Sequence, residues 1–270
     1  MRCATRVAAV LLVAGVWAAG PLAAATDSEK EIEKYREMLR DGNPGELWEM
    51  KGEQLFRQKR GPKNASLERC DFGLGPGKLD GAYAQLPRYF ADSGRVEDLE
   101  SRLLTCMTEL QGFKREELQK TAFSNADRSS DIEALVTFIA AKSNGMKFSL
   151  PLAHPKEREA YRIGEEIFWR RSSLLDFSCQ TCHGENGKRI RLQGLPKLTD
   201  PKQAGPVMGS WPTYRVSQGT VRTMQHRMWD CGWQMRLPDV EYASDLTVAI
   251  ISFLTKNAEG GVINVPAIKR

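Results

Sequence analysis

Histidine is scarce in this chain. There are three in 270 residues, His154, His183 and His226, which excludes a site built from clustered imidazoles. Runs of one charge are missing too. The 39 Lys and Arg are mixed among 34 Asp and Glu, with no basic run and no aromatic ladder, and this sets nucleic-acid binding aside. No segment sustains period-two alternation, so no sheet architecture is expected. Long apolar runs are also lacking, apart from Val7 to Trp17. That stretch is shorter than the roughly 20 residues that span a bilayer. It follows Arg2 and Arg6 and ends at Ala23-Ala24-Ala25, the layout of a cleavable secretory signal over residues 1–25. The mature chain then begins near Thr26 with no membrane span, Cys3 is lost, and removal of two arginines takes the formal charge from +5 to +3.

The chain does contain Cys179-Gln180-Thr181-Cys182-His183, a C-x-x-C-H run. Two thiols and an imidazole at this spacing suit covalent haem attachment, with Cys179 and Cys182 adding to the vinyl groups and His183 reaching the iron. A redox dithiol or half of a zinc site is the alternative. It would need a second C-x-x-C or a clustered His pair, and the chain has neither. Export together with covalent haem points to an oxidising compartment, most simply the bacterial periplasm.

The chain also resembles itself. Gly52-Glu53-Gln54-Leu55-Phe56 matches Gly164-Glu165-Glu166-Ile167-Phe168, each leading to a cysteine, Cys70 and Cys179. At equal spacing beyond those cysteines come Leu86-Pro87-Arg88 and Leu195-Pro196-Lys197. Val96 to Arg102 followed by Cys106 matches Val221 to Arg227 followed by Cys231, and Phe138 and Phe253 lie in comparable apolar segments. The expected architecture is all-α, a tandem of two cytochrome c-like domains with long loops: 26–150 without haem and 151–270 with one. In the first copy Gly73 and Leu74 stand where the second has Cys182 and His183, so a second thioether and a proximal ligand are both missing. In an exported protein the remaining Cys70 and Cys106 suit a disulfide; a free redox pair is the alternative. Helices are expected over 28–41, beginning with a Ser-x-x-Glu capping box at Ser28, and over 46–59, 97–112, 131–142, 156–170, 220–229 and 240–256. The link between copies is placed at 145–155, where Gly145, Pro151 and Pro155 signal bends.

One cysteine, Cys231, is left over, just before Pro238 and the last helix. This is the region from which small cytochromes c usually bring a sixth ligand. Met208, Met224, Met228, Met235 and His226 compete with it for that place. A methionine would suit a simple electron carrier, whereas a thiolate favours ferric iron and lowers the potential. An inert buried thiol remains a further reading of Cys231.

The C-x-x-C-H unit, the stretch Arg227-Met228-Trp229-Asp230-Cys231 and the degenerate first copy together resemble the SoxA family, the larger subunits of the SoxAX cytochromes of bacterial thiosulfate oxidation. The resemblance covers essentially the whole mature chain and fits the one-haem form of that family. It implies His183 and Cys231 as axial ligands, Cys231 as the active-site sulfur, often a persulfide, and Arg227 as the substrate contact. It implies an L-cysteine S-thiosulfotransferase, with thiosulfate as substrate, a SoxX cytochrome c subunit as heterodimer partner, the SoxYZ complex as sulfur carrier, and a cytochrome c as electron acceptor. Arg222 and Arg236 are weaker candidates for the same anion pocket, and the role of Asp230 stays open. Three competing readings remain: a His/Met electron carrier without sulfur chemistry, a peroxidase-like cytochrome that would need a second attachment motif, and a haem-containing docking subunit.

Overall fold

Two glycines set the helix packing of this chain. The computed structural model describes residues 27–39, 42–125, 127–190 and 193–269; the expected signal at 1–25 lies outside them. The first half builds α1 (Asp27–Met38), α2 (Glu46–Arg57), the hairpin of β1 (Arg88–Phe90) and β2 (Arg95–Glu97), then α3 (Leu99–Cys106), α4 (Arg115–Lys120) and α5 (Asp131–Ala141). α2 lies so close to α5 that a Cβ on Gly52 would sit 2.1 Å from the Ala134 carbonyl oxygen and 2.7 Å from Phe138 Cβ. Only a residue without a side chain permits that approach.

The second half builds α6 (Pro155–Trp169), α7 (Cys179–His183), β3 (Arg189–Ile190), β4 (Gln193–Gly194), α8 (Pro201–Met208), β5 (Thr213–Arg215), β6 (Thr220–Arg222), α9 (Met224–Met235), α10 (Asp245–Asn257) and β7 (Ala267–Lys269). Here α6 packs on α10. A Cβ on Gly164 would meet the Ala249 carbonyl oxygen at 2.0 Å and Phe253 Cβ at 2.9 Å. The Gly-Glu-x-x-Phe segments and the two phenylalanines matched in sequence therefore make the same contact in both halves.

Each half also contains a cis X-Pro bond, a short hairpin and a capped helix, in that order. After Leu86–Pro87 the β1–β2 pair sets Tyr89 opposite Val96, and Asp98 caps α3. After Trp211–Pro212 the β5–β6 pair sets Tyr214 opposite Val221, and Thr223 caps α9. The counterpart of Pro87 is thus Pro212, and not Pro196 as the Leu-Pro-basic triplets suggested.

The expectation of an all-helical chain needs correction: the fold is mainly helical, but seven strands of two or three residues form among the described residues. Strands this short cannot produce a visible alternation in sequence. The helix expected over 220–229 is instead β6 followed by α9, because Thr220 and Val221 pair with β5 and the Thr223 hydroxyl accepts the His226 N–H. The helix expected over 97–112 ends at Cys106 and continues as a wider π turn, Met107–Gln111, stopped by Gly112 at φ +78°. The last helix starts only at Asp245, behind its Ser244 cap.

The segment 145–155 is no loose link. Phe148 N–H donates to Gly261 O at 3.0 Å and Ile263 N–H to Met146 O at 2.9 Å, fastening it to the C-terminal tail. The tail reaches back further, as β7 pairs in parallel with β5 and Pro266 O accepts from the Asn43 amide at 2.7 Å. One hydrophobic cluster, with Phe72, Leu103, Phe138, Phe168 and Phe253 among its members, runs through both halves. Cys70 and Cys106 form a disulfide with Cα atoms 5.7 Å apart and a sequence separation of 36. Closing a loop of that length stabilises by about 4 kcal/mol in the chain-entropy account.

Candidate haem site

α7 is a short helix with a firm start. Ser178 and Thr181 form a capping box, with Ser178 N–H donating to Thr181 Oγ1 at 3.0 Å. Cys179 and Cys182 are three apart on this helix and so share a face. His183 Nδ1 lies 2.9 Å from Pro196 O. A carbonyl can only accept, so Nδ1 carries the proton and Nε2 keeps its lone pair, the arrangement expected of a histidine that ligates iron. Burial holds the imidazole below its ordinary pKa, the Pro196 contact opposes this, and Arg227 lowers it further.

His183 and Cys179 open on a cavity of about 770 Å³, within the roughly 300–1,000 Å³ usual for cofactor sites. Its wall is mostly apolar and draws on α6, α8, α9 and α10, through residues such as Phe168, Met208 and Ile250. Cys182 is not on the lining, although its thiol acts electrostatically on Cys179 and Cys231. The thiols stand in for the thioether sulfurs of a haem-bearing chain. A large apolar space, a C-x-x-C pair on one wall and an imidazole with a bare Nε2 fit a covalently held haem. No group of three or more His, Cys, Asp or Glu side chains that could hold a metal ion forms among the described residues, which leaves the zinc alternative without ligands.

α9 faces α7 across this space. Met224, Arg227, Met228, Cys231 and Met235 line the cavity, at the three- and four-residue steps of one helix face. Burial pushes the Cys231 thiol up, and Arg227 draws it back down; Asp230 and Cys182 raise it, and Arg215 lowers it. All four methionine candidates, Met208 included, share the wall with Cys231.

His226 does not reach the cavity. It lies on the opposite face of α9, bonded through Nδ1 to Glu133 Oε1 at 2.6 Å and stacked on Phe123 at 4.2 Å, which rules it out as a ligand here. Arg222 is ion-paired with Asp230. Arg236 is exposed at φ +57° and stacks over Trp233 at 4.9 Å, so neither of these weaker candidates enters the pocket. Sequence reasoning missed Arg215 and Lys269, neighbours across the β5–β7 pair that both line the cavity. It also missed Glu100 and Glu133 behind α9. Glu133 left one trace, a carboxylate within the otherwise apolar α5.

The two Arg-x-x-x-Cys stretches have opposite fates. Arg102 is buried, doubly bonded to Asp92 at 2.9 and 2.7 Å, bonded to Asp71 O at 2.6 Å and set over the Phe90 ring at 4.0 Å. Its companion Cys106 is locked in the disulfide. Arg227 has no ion pair or hydrogen bond among the described residues and lines the cavity, and Cys231 is a free thiol.

Fold and site together define a c-type cytochrome, helical and built to hold haem covalently on a C-x-x-C-H helix. The profile described as SoxA/TsdA, cytochrome c domain, matches residues 51–148, the half without the attachment run. The chain is 47% identical over 266 residues, 97% of each chain, to the L-cysteine S-thiosulfotransferase subunit SoxA of Hydrogenophilus thermoluteolus. It is 34% identical over 241 residues, 88% of this chain and 89% of the other, to a protein of the same name from Hydrogenobacter thermophilus. The chain belongs to the SoxA family. Its fold is also that of a chain in the crystal structure of SoxXA from P. pantotrophus, with a TM-score of 0.71, 22% identity, and coverage of 88% of this chain and 84% of that one.

Proposed function

We propose that this chain is the haem-thiolate subunit of a periplasmic L-cysteine S-thiosulfotransferase. On this reading thiosulfate is joined to a cysteine thiol of a SoxYZ carrier, with loss of two electrons and the thiol proton, to give a cysteine S-thiosulfonate. The observation that carries the reading is the open pair on α9: Arg227 and Cys231 face one cavity with no internal partner, while Arg102 and Cys106 of the first half are closed off by an ion pair and a disulfide. Arg227 offers planar paired donors to the sulfonate oxygens of the anion. Cys231, one helical turn further on, takes up sulfur in a covalent intermediate from which the carrier thiol then takes the group.

Cys179 and Cys182 hold one haem, and His183 and Cys231 are its axial ligands. The haem supplies a one-electron acceptor beside the reacting sulfur. Because two electrons leave, a second centre is needed, and the name SoxXA of the structural neighbour supports a SoxX cytochrome as the heterodimer partner, with a cytochrome c as final acceptor. The first half, 26–150, is a copy of the second without haem: the matched glycine contacts and hairpins support this, as do Gly73 and Leu74 in place of a second cysteine and a histidine. Residues 1–25 act as the export signal. No helix among the described residues is long and apolar enough to cross a membrane.

Low-temperature electron paramagnetic resonance of the ferric protein beside Cys231→Met tests the ligand. The expected result is a low-spin thiolate signature that the mutant loses, and an unchanged spectrum refutes the assignment. Cys231→Ser should keep its covalent haem and lose thiosulfate coupling by a factor of at least about 1,000. The electron-carrier reading draws on the four methionines in the cavity wall, and a methionine–iron charge-transfer band in the ferric protein would favour it.

A further inference from the structure

Behind the cavity wall lies a carboxyl for which sulfur transfer has no use. Glu100 sits on α3 in the first half and is buried, yet its side chain serves the second half. Its Oε1 accepts the Gln225 N–H at 3.1 Å, and its Oε2 accepts the Thr223 hydroxyl at 3.0 Å and the Tyr242 hydroxyl at 2.7 Å. These three donors are neutral, and two of the residues, Gln225 and Tyr242, themselves line the cavity. Glu100 is thus one residue removed from the space where an electron would arrive, at the N-terminus of the helix that carries Arg227 and Cys231.

The groups around Glu100 can be named element by element. From the start of α3 comes Asp98, a like charge, whose Oδ2 accepts the Gln225 amide at 2.8 Å. Arg102, further along α3, is already held by Asp92 and Glu97. α9 contributes Thr223 and Gln225, and behind them His226 bonded to Glu133 of α5. Tyr83 and Tyr242 complete the surroundings, and burial together with Glu100 and Asp98 drives both hydroxyls upward. Burial, and then Asp98, push the Glu100 carboxyl up to about 8, against the three hydrogen bonds.

We propose that Glu100 is a redox-linked proton site: when an electron enters the cavity its carboxylate binds one proton from solvent, and it releases that proton when the electron leaves. The inference rests on the haem reading of the cavity. One O–H bond forms on Glu100 for each negative charge added nearby, and the electron is one of the two lost when thiosulfate and the carrier thiol are joined. Added negative charge in a poorly screened interior raises the proton affinity of a neighbouring carboxylate. The neutral donors around Glu100 cannot absorb that charge by losing protons near neutrality.

Spectroelectrochemical titration of the haem-loaded full chain, between about pH 6 and 10, tests this on wild type, Glu100→Gln and Tyr242→Phe. The wild-type potential should be level on the acid side and fall as pH passes about 8. Glu100→Gln should abolish the fall. Tyr242→Phe removes a donor that favours the carboxylate, so the fall should begin at higher pH. A Glu100→Gln protein that keeps the wild-type slope overturns the proposal. If that variant does not fold, an onset left unmoved by Tyr242→Phe overturns it equally. Failure of the wild type to take up haem would refute the haem reading itself, a result distinguishable from a missing slope.

Discussion

At the scale of single residues, the same Arg-x-x-x-Cys pattern is used once for stability and once for chemistry. Arg102 satisfies its guanidinium inside the protein, whereas Arg227 keeps its donors for something that enters the cavity. The two arginines should therefore fail differently. Arg227→Lys loses the planar fork, worth about 1.5–3 kcal/mol for hydrogen bonds to a charged group, and kcat/KM for thiosulfate should drop roughly 10- to 100-fold with unfolding unchanged. Arg102→Met strands Glu97 in the interior and should cost about 3 kcal/mol of stability while sparing kcat/KM of the folded fraction. Steady-state kinetics and urea unfolding of both variants check the split.

At the scale of elements, each half depends on a helix pair in near backbone contact. An alanine at Gly52 or Gly164 must push the facing helix away, since the new Cβ would overlap a carbonyl oxygen. Overpacking of this kind typically costs about 1–3 kcal/mol. The two substitutions should be similar in stability loss, read by thermal unfolding. They should differ in the haem spectrum: Gly164→Ala moves α6 against α10, and both helices line the cavity through Phe168 and Ile250, whereas Gly52→Ala displaces α2 and α5, which do not. These glycines and their partner phenylalanines could be read from the repeated Gly-Glu-x-x-Phe. The hairpins could not, because a strand of three residues has no periodicity to detect.

At the scale of the whole molecule, the first half is a buttress for α9. Asp98, Glu100 and Glu133 reach across to Gln225, Thr223 and His226, and the C-terminal tail returns to Asn43 and Asn144. Buried polar ties of this kind make stability depend on pH. Glu100 has a folded pKa raised to about 8 from the ordinary 4.5. Between those values the native state binds more protons than the unfolded chain, so stability falls as pH rises through this window. Urea unfolding should show a loss of a few kcal/mol at most from about pH 5 to 8, and Glu100→Gln should flatten it; identical slopes would refute the role of this carboxyl.

What the sequence by itself determined about this protein is what adjacent residues encode. The attachment run Cys179-Gln180-Thr181-Cys182-His183 needs only helical spacing to present two sulfurs and an imidazole together, and the repeated segments and the Arg227–Cys231 step are local in the same way. Only the tertiary structure decided between the candidates. It tied His226 to Glu133 and Arg222 to Asp230, turned Arg236 outward, and left Arg227 and Cys231 facing α7. The physical reason is partner distance: whether a histidine is a ligand or a strut depends on a carboxylate 93 residues away in sequence, and no periodicity within α9 records where that carboxylate will be.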